Sequence, residues 1–168
     1  MEVKNINKNF YLNFSIVLFI FFIDRISKLY VIHKDKLNFN SEIYSSKFLN
    51  IHLIWNDGIA FGLFSFNKDY LYNFLTFLIF IVIIFIIFLI RKSDPVRKYA
   101  LLLVLGGAFG NFFDRLIYKA VPDFIDFHVG NFHWFIFNVS DIFITIGIIL
   151  MIFIEIINKP ETTNNEKI

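Results

Sequence analysis

The stretch GGAFGNFFDRLIYKAVPDFIDFHVGNFHWFIFNVSD, Gly106 to Asp141, decides how this chain folds. It begins inside an apolar run of membrane length and leaves that run through Asn111, Asp114 and Arg115. After a short polar excursion it enters the next apolar run through Asn138 and Asp141. Ionisable groups at the edge of a bilayer are costly and tend to be functional. Two aspartates, Asp123 and Asp141, flank one connecting loop here, and the question is what they do together.

Working outward, the composition explains why those runs exist. The 168 residues are 57% hydrophobic and 20% aromatic, with 25 Phe and only 18% charged residues. A globule this small has too much surface to bury so many apolar side chains, so lipid must be part of the solvent. The net charge of +2 and the absence of a basic stripe argue against nucleic acid. With no Cys, disulfides, thiol nucleophiles and thiolate metal sites are excluded.

Four apolar runs emerge, at residues 10–30, 70–90, 99–118 and 139–157. The first follows a basic start, as a signal peptide would, but no small-residue cleavage site follows and the run is long enough to span. The second is almost pure hydrocarbon and is stopped by Arg91-Lys92. Residues 91–98 read as a tight polar connection in which Pro95 breaks the helix. The tail from about residue 160 to 168 reads as disordered. The expectation is a single integral membrane domain, all-α, with four transmembrane helices. Lys4, Lys8, Arg91, Lys92, Arg97, Lys98, Lys159 and Lys167 crowd one side, which makes that side and both termini cytoplasmic. In a bacterium this is the inner membrane, and both long loops then face outward.

Those loops carry β-rich patterning. FLNIHLIW and IAFGLFSF flank Asn56-Asp57-Gly58, while DFIDFH and FHWFIF flank Val129-Gly130-Asn131. Two hairpins would pair into a small antiparallel, aromatic platform at headgroup level.

Counting about 1.5 Å of rise per residue, the polar groups of three spans reach one outer depth. Asp24 and Lys28 come from the first, Asn111, Asp114 and Arg115 from the third, and Asn138 and Asp141 from the start of the fourth, with Asp123 just beyond the third. Asp24 and Lys28, acid first at i,i+4, read foremost as a structural ion pair. Gly107, Asn111 and either Asp114 or Arg115 share a helix face, and Gly106-x-x-x-Gly110 is a small-residue packing motif. Asn138-Val-Ser-Asp141 fits a capping box as well as it fits a site. Asp123, across the loop, tips Asp141 toward the site. A helix start favours an ionised Asp141, and apolar surroundings favour a protonated Asp123, which suits a pair sharing one proton.

In order along the chain, five motifs resemble those of bacterial lipoprotein signal peptidase (signal peptidase II), a family of aspartic membrane peptidases. They are Asp24-Arg-Ile-Ser-Lys28, Asn56-Asp-Gly58-Ile-Ala60-Phe61-Gly62, Gly106-Gly-Ala-Phe-Gly110-Asn111-Phe-Phe-Asp114-Arg115, Val121-Pro-Asp123-Phe-Ile-Asp126 and Phe137-Asn138-Val-Ser-Asp141. The resemblance implies that Asp123 and Asp141 are a catalytic dyad, supported by Asn111, Arg115 and Asn138. It places Asp24, Lys28 and Asn56 in or near the site, where they help hold substrate. It further implies a metal-free, cofactor-free cut just before a diacylglyceryl-modified cysteine of a prolipoprotein. Three positions depart from the family pattern: Lys119 stands for the usual Gly, Pro122 for Val and Ser140 for Ala. Nothing demands a protein partner other than substrate, so a monomer among membrane lipids is expected.

Other chemistries fit less well. Ser27 and Lys28 are adjacent and diverge on a helix, against a Ser/Lys dyad. Asp126, His128 and His133 on the second hairpin are a weak metal signal and read as packed or exposed loop residues. Gly106–Gly110 lacks the Gly-Lys-Ser/Thr of a phosphate loop. A channel or carrier subunit would need polar residues through the whole depth, and the cytoplasmic halves are nearly bare; a scaffold held by its charges is the remaining alternative.

Overall fold

A computed structural model of the protein describes residues 2–37, 42–58 and 69–158. The expected strand at 59–66, the Ala60-Phe61-Gly62 end of its motif and the tail beyond residue 158 lie outside the described residues. The element order is α1 (Glu2–Leu37), β1 (Tyr44–Ser45), β2 (Leu49–Asn56), α2 (Asp69–Lys92), α3 (Pro95–Tyr118), β3 (Val121–Val129), β4 (Phe132–Phe137) and α4 (Val139–Ile157). Three of the helices are long and apolar enough to cross a membrane, over Tyr72–Lys92, Pro95–Tyr118 and Val139–Ile157. α1, which carries Asp24, Arg25 and Lys28, is not among these three.

The two helix ends nearest Pro95 differ from expectation. α2 runs to Lys92 and α3 starts at Pro95, so the connection is only Ser93-Asp94. Asp94 caps the new helix, its Oδ1 accepting from the backbone N–H groups of Val96 at 3.0 Å and Arg97 at 3.1 Å. A proline in the first turn has no N–H to waste and a helical φ, so it starts this helix instead of breaking one. α1 also continues to Leu37, through residues that read as the start of a loop.

α2 packs on α3 through a small aliphatic core of Ile83, Ile86, Leu101 and Leu105. Its remaining surface is apolar and exposed, with Phe74, Phe77 and Phe85 more than half accessible. A helix apolar all round with one packed stripe suits a lipid surround. α3 sits at the centre of the helices and meets α1 and α4 through glycines. A Cβ on Gly106 would strike the Ile20 side chain, one on Gly107 the Ser140 carbonyl, and one on Gly110 the Ser140 hydroxyl and the Asp24 carboxylate. Only glycine lets these backbones approach so closely.

The strands form one antiparallel sheet in the order β1-β2-β3-β4. The second expected hairpin is present, with Gly130 at φ 60° in its turn, a conformation glycine adopts freely. Of the first expected hairpin only β2 falls among the described residues, and it pairs with the short β1 that precedes it, through Tyr44 opposite Ile51. The two loops join through β2–β3, where Asn56 lies opposite Val121 and Ile54 opposite Asp123. β3 begins just after Lys119, which ends α3 with φ 54° and ψ 25°. This is the left-handed region, where a side chain costs roughly 1–2 kcal/mol relative to glycine. It gives a physical meaning to the departure at position 119. Pro122, the second residue of β3, stands opposite Trp55 near the strand's start, where proline is tolerated.

Candidate active site

α4 begins with Asn138 as its N-cap. The Asn138 Oδ1 accepts from the Asp141 N–H at 3.2 Å, and Asp141 Oδ2 accepts from the Asn138 N–H at 3.1 Å. That is a closed capping box. The same asparagine, fully buried, turns its Nδ2 outward to donate to Asp123 Oδ1 at 2.6 Å. One residue therefore touches both aspartates. Capping and site formation, weighed as rivals from the sequence, are the same set of bonds.

Two further amides complete the arrangement. Asn56, at the end of β2, donates from Nδ2 to Asp123 Oδ2 at 2.8 Å, while its Oδ1 accepts from the Gly58 N–H at 3.0 Å. Asn111, on α3, donates from Nδ2 to Asp141 Oδ1 at 2.8 Å, while its Oδ1 accepts from Lys28 Nζ at 2.9 Å. In each of Asn56, Asn111 and Asn138 the amide oxygen is held by an obligate donor, so the NH2 end must face a carboxylate. Every oxygen of the two carboxyl groups accepts one hydrogen bond: Oδ1 and Oδ2 of Asp123 from Asn138 and Asn56, and Oδ1 and Oδ2 of Asp141 from Asn111 and the Asn138 backbone.

Both aspartates, Asn56, Asn111, Asn138 and Arg115 line one cavity of about 250 Å³, walled on its apolar side by Val121 and Ile144. Asp123 is 4% exposed. Burial, then the Asp141 charge, push its carboxyl up to about 6, against the pull of the Asn56 and Asn138 hydrogen bonds and the Lys28 charge. Desolvation thus outweighs two donated bonds. A carboxyl group of this kind keeps its proton to higher pH than an ordinary aspartate does, beside a second carboxylate.

Beneath the pair lies a buried charge network. Lys28 Nζ is 2.8 Å from Asp24 Oδ2 and 2.6 Å from Asp114 Oδ2. Arg25 Nη1 donates to Asp114 Oδ1 at 2.5 Å and its guanidinium lies over the rings of Phe113 and Tyr118. Asp24 Oδ1 accepts from the Ser140 N–H at 2.8 Å, an anion at the start of α4. Among the described residues Asp24 and Asp114 therefore reach the aspartate pair through Lys28, Asn111 and the α4 terminus. Arg115 donates to the Asn111 carbonyl at 3.0 Å and to the Gly58 carbonyl at 3.2 Å, tying α3 to the segment after β2. Ser27 Oγ donates to the Asp24 carbonyl at 2.8 Å, consistent with its divergence from Lys28.

From the sequence Arg25 reads only as a charge within the first span and Ser140 only as a departure from the family pattern, neither with a part in the site. The signal for Arg25 was a third charge inside an apolar helix, beside two that were already noted. For Ser140 there was none, because its backbone N–H makes the contact. The Ser140 hydroxyl is buried with no hydrogen-bond partner among the described residues, so the departure from Ala at that position adds no bond.

The family profile of signal peptidase (SPase) II, peptidase family A8, matches residues 16–157. The lipoprotein signal peptidase of Pelagibacter ubique (strain HTCC1062) is 51% identical over 159 residues, covering 95% of this chain and 96% of that protein. The lipoprotein signal peptidase of Anaplasma phagocytophilum (strain HZ) is 38% identical over 140 residues, 83% of this chain and 88% of the relative. Two solved structures described as a bacterial membrane enzyme obtained by the in meso method superpose with TM-scores of 0.72 and 0.74 at 26% and 25% identity. They cover 94% and 89% of this chain and 94% of each solved chain. With a family profile matching over most of its length and relatives this similar, the chain belongs to the signal peptidase II family of membrane peptidases.

Proposed function

We propose that Asp123 and Asp141 are the catalytic groups of this peptidase and that they act together on one water molecule. The observation that carries the reading is Asn138, which donates to both carboxyl groups in the lining of a single cavity. Asp141, at a helix start, is the ionised partner and takes a proton from the attacking water. Asp123 is the protonated partner: it donates a hydrogen bond to the scissile carbonyl oxygen, and its proton passes to the departing amine as the tetrahedral intermediate collapses. Their titration belongs to the pair. Asn56, Asn111 and Asn138 hold the two groups in place, and Lys28 holds Asn111. No metal or cofactor is required by these steps.

The substrate is a prolipoprotein carrying diacylglycerol on its cysteine, cut on the N-terminal side of that residue. The apolar flanks of α2 and α4 support this, since they give lipid chains a surface beside a polar site. All four helices span the bacterial inner membrane, with both termini cytoplasmic and the sheet over the outer leaflet. The enzyme works as a monomer.

The test is cleavage of a diacylglyceryl-modified prolipoprotein by purified protein in lipid micelles. Asp123→Asn and Asp141→Asn each lower the rate by at least roughly 10²–10⁴-fold, the range for a lost acid or base, while helicity is retained. Undiminished cleavage by either variant rejects the assignment.

A further inference from the structure

We propose that Asp126, His128 and His133 bind a divalent transition-metal ion, Zn²⁺ first among them, on the β3–β4 hairpin. From the sequence these residues read as ordinary hairpin positions; their juxtaposition changes that. His128 stands directly opposite His133 in the β3–β4 register, and their rings stack with centroids 5.1 Å apart. Asp126 lies two residues before His128 on the regular strand β3, so both side chains leave the same face, opposite to that of Asp123. One ligand atom from each of the three lies within 4.8 Å of the others.

Two features mark this cluster as more than a surface ion pair. Asp126 is 1% exposed, and both its oxygens face His133 Nδ1, at 3.0 and 2.8 Å. The Nδ1 of His128 is buried with no hydrogen-bond partner among the described residues, although its backbone N–H is anchored to the Phe48 carbonyl at 3.1 Å. An unpaired buried imidazole nitrogen is costly, and a ligand offsets that cost. Zinc at 2.0–2.2 Å from nitrogen and oxygen donors sets them about 3.4 Å apart. His133 Nδ1, 2.8 Å from Asp126, already lies inside that spacing, so the half-exposed His133 ring turns away from the buried Asp126 to admit the ion. Two imidazoles and one carboxylate with an open fourth position suit zinc and its neighbours, whereas Ca²⁺ and Mg²⁺ require oxygen-rich shells. The ion would replace the proton between His133 and Asp126 and cross-link β3 to β4 beside their turn.

Metal-stripped full-length protein in detergent micelles is titrated with ZnCl₂ by calorimetry, with Tm followed in parallel. The expected result is one saturable equivalent and a rise in Tm, because the ion binds the folded hairpin only. His128→Ala and His133→Ala each weaken binding by more than the roughly 10-fold that loss of an outer partner costs, and abolish the rise in Tm. His33→Ala and His52→Ala change neither. Unaltered helicity and prolipoprotein cleavage by His128→Ala show that the fold survives. Absence of saturable binding, or binding that persists in both hairpin variants, overturns the proposal.

Discussion

At the scale of residues, the site is a problem in orienting amides. Burial and the neighbouring Asp141 raise the Asp123 carboxyl to about 6, above its ordinary 3.8. The contribution of Asp123 to stability is therefore fully present below pH 3.8 and is lost as pH rises through about 6. If Asp123 is the protonated partner, the same titration sets the alkaline limb of the cleavage profile. The Asn56 hydrogen bond lowers this value, so Asn56→Ala moves the limb to higher pH as well as slowing the reaction. A pH profile of kcat/KM checks this, and a shift to lower pH contradicts it. Lys28, fully buried between Asp24, Asp114 and Asn111, admits a second test. Lys28→Met leaves buried carboxylates uncompensated and costs about 3–5 kcal/mol, measured as lost thermal stability. It also frees the Asn111 amide to turn, so cleavage falls further than stability alone explains. The identities of these residues and the local pairs Asp24–Lys28 and Asn138–Asp141 were legible in the chain, but the long-range pairings were not. Asn138 to Asp123 is a bond across fifteen positions and Arg25 to Asp114 one across eighty-nine, and no local pattern specifies either.

At the scale of elements, the close approach of α3 to α1 and α4 sets the height of every site group. Gly110→Ala places a methyl against the Ser140 hydroxyl and the Asp24 carboxylate. Overpacking of this kind costs about 1–3 kcal/mol and displaces α4, so stability and cleavage fall together. Gly130→Ala is the control: its Cβ meets nothing within 4 Å, and only the positive φ resists it. Cleavage by Gly110→Ala at the rate of Gly130→Ala removes the packing argument. The limits of α4, 139–157, follow from its apolar run and its cap and agree with the structure. The start of α3 does not, because proline signals both a helix break and a helix beginning, and the deciding feature was Asp94 one position earlier. The β1–β2 pairing was missed because a two-residue strand carries almost no alternation to read.

At the scale of the molecule, the proposed orientation separates the α2–α3 connection from the β3–β4 turn by the bilayer. The chain has no Cys, so single cysteines report position without background. In intact cells a membrane-impermeant maleimide labels Asn131→Cys and leaves Ser93→Cys untouched until the cells are permeabilised. Labelling of both, or the reverse order, refutes the orientation. Three helices qualify as spans by length and composition. The crossing of α1, whose Asp24 and Lys28 are buried against α3 and the start of α4, rests on the proposal.

The amino-acid order by itself determined which segments seek lipid, which loops favour strands and which polar residues reach a common depth. These are properties of composition and period, set by transfer free energy and backbone geometry over a few turns. Only the tertiary structure decided that Asn138 bonds both aspartates, that Asn111 is turned by Lys28, and that His128 faces His133 beside Asp126. Such contacts depend on where separate elements cross and at what register, and small residues like Gly107 and Gly110 govern that through sterics spanning distant parts of the chain.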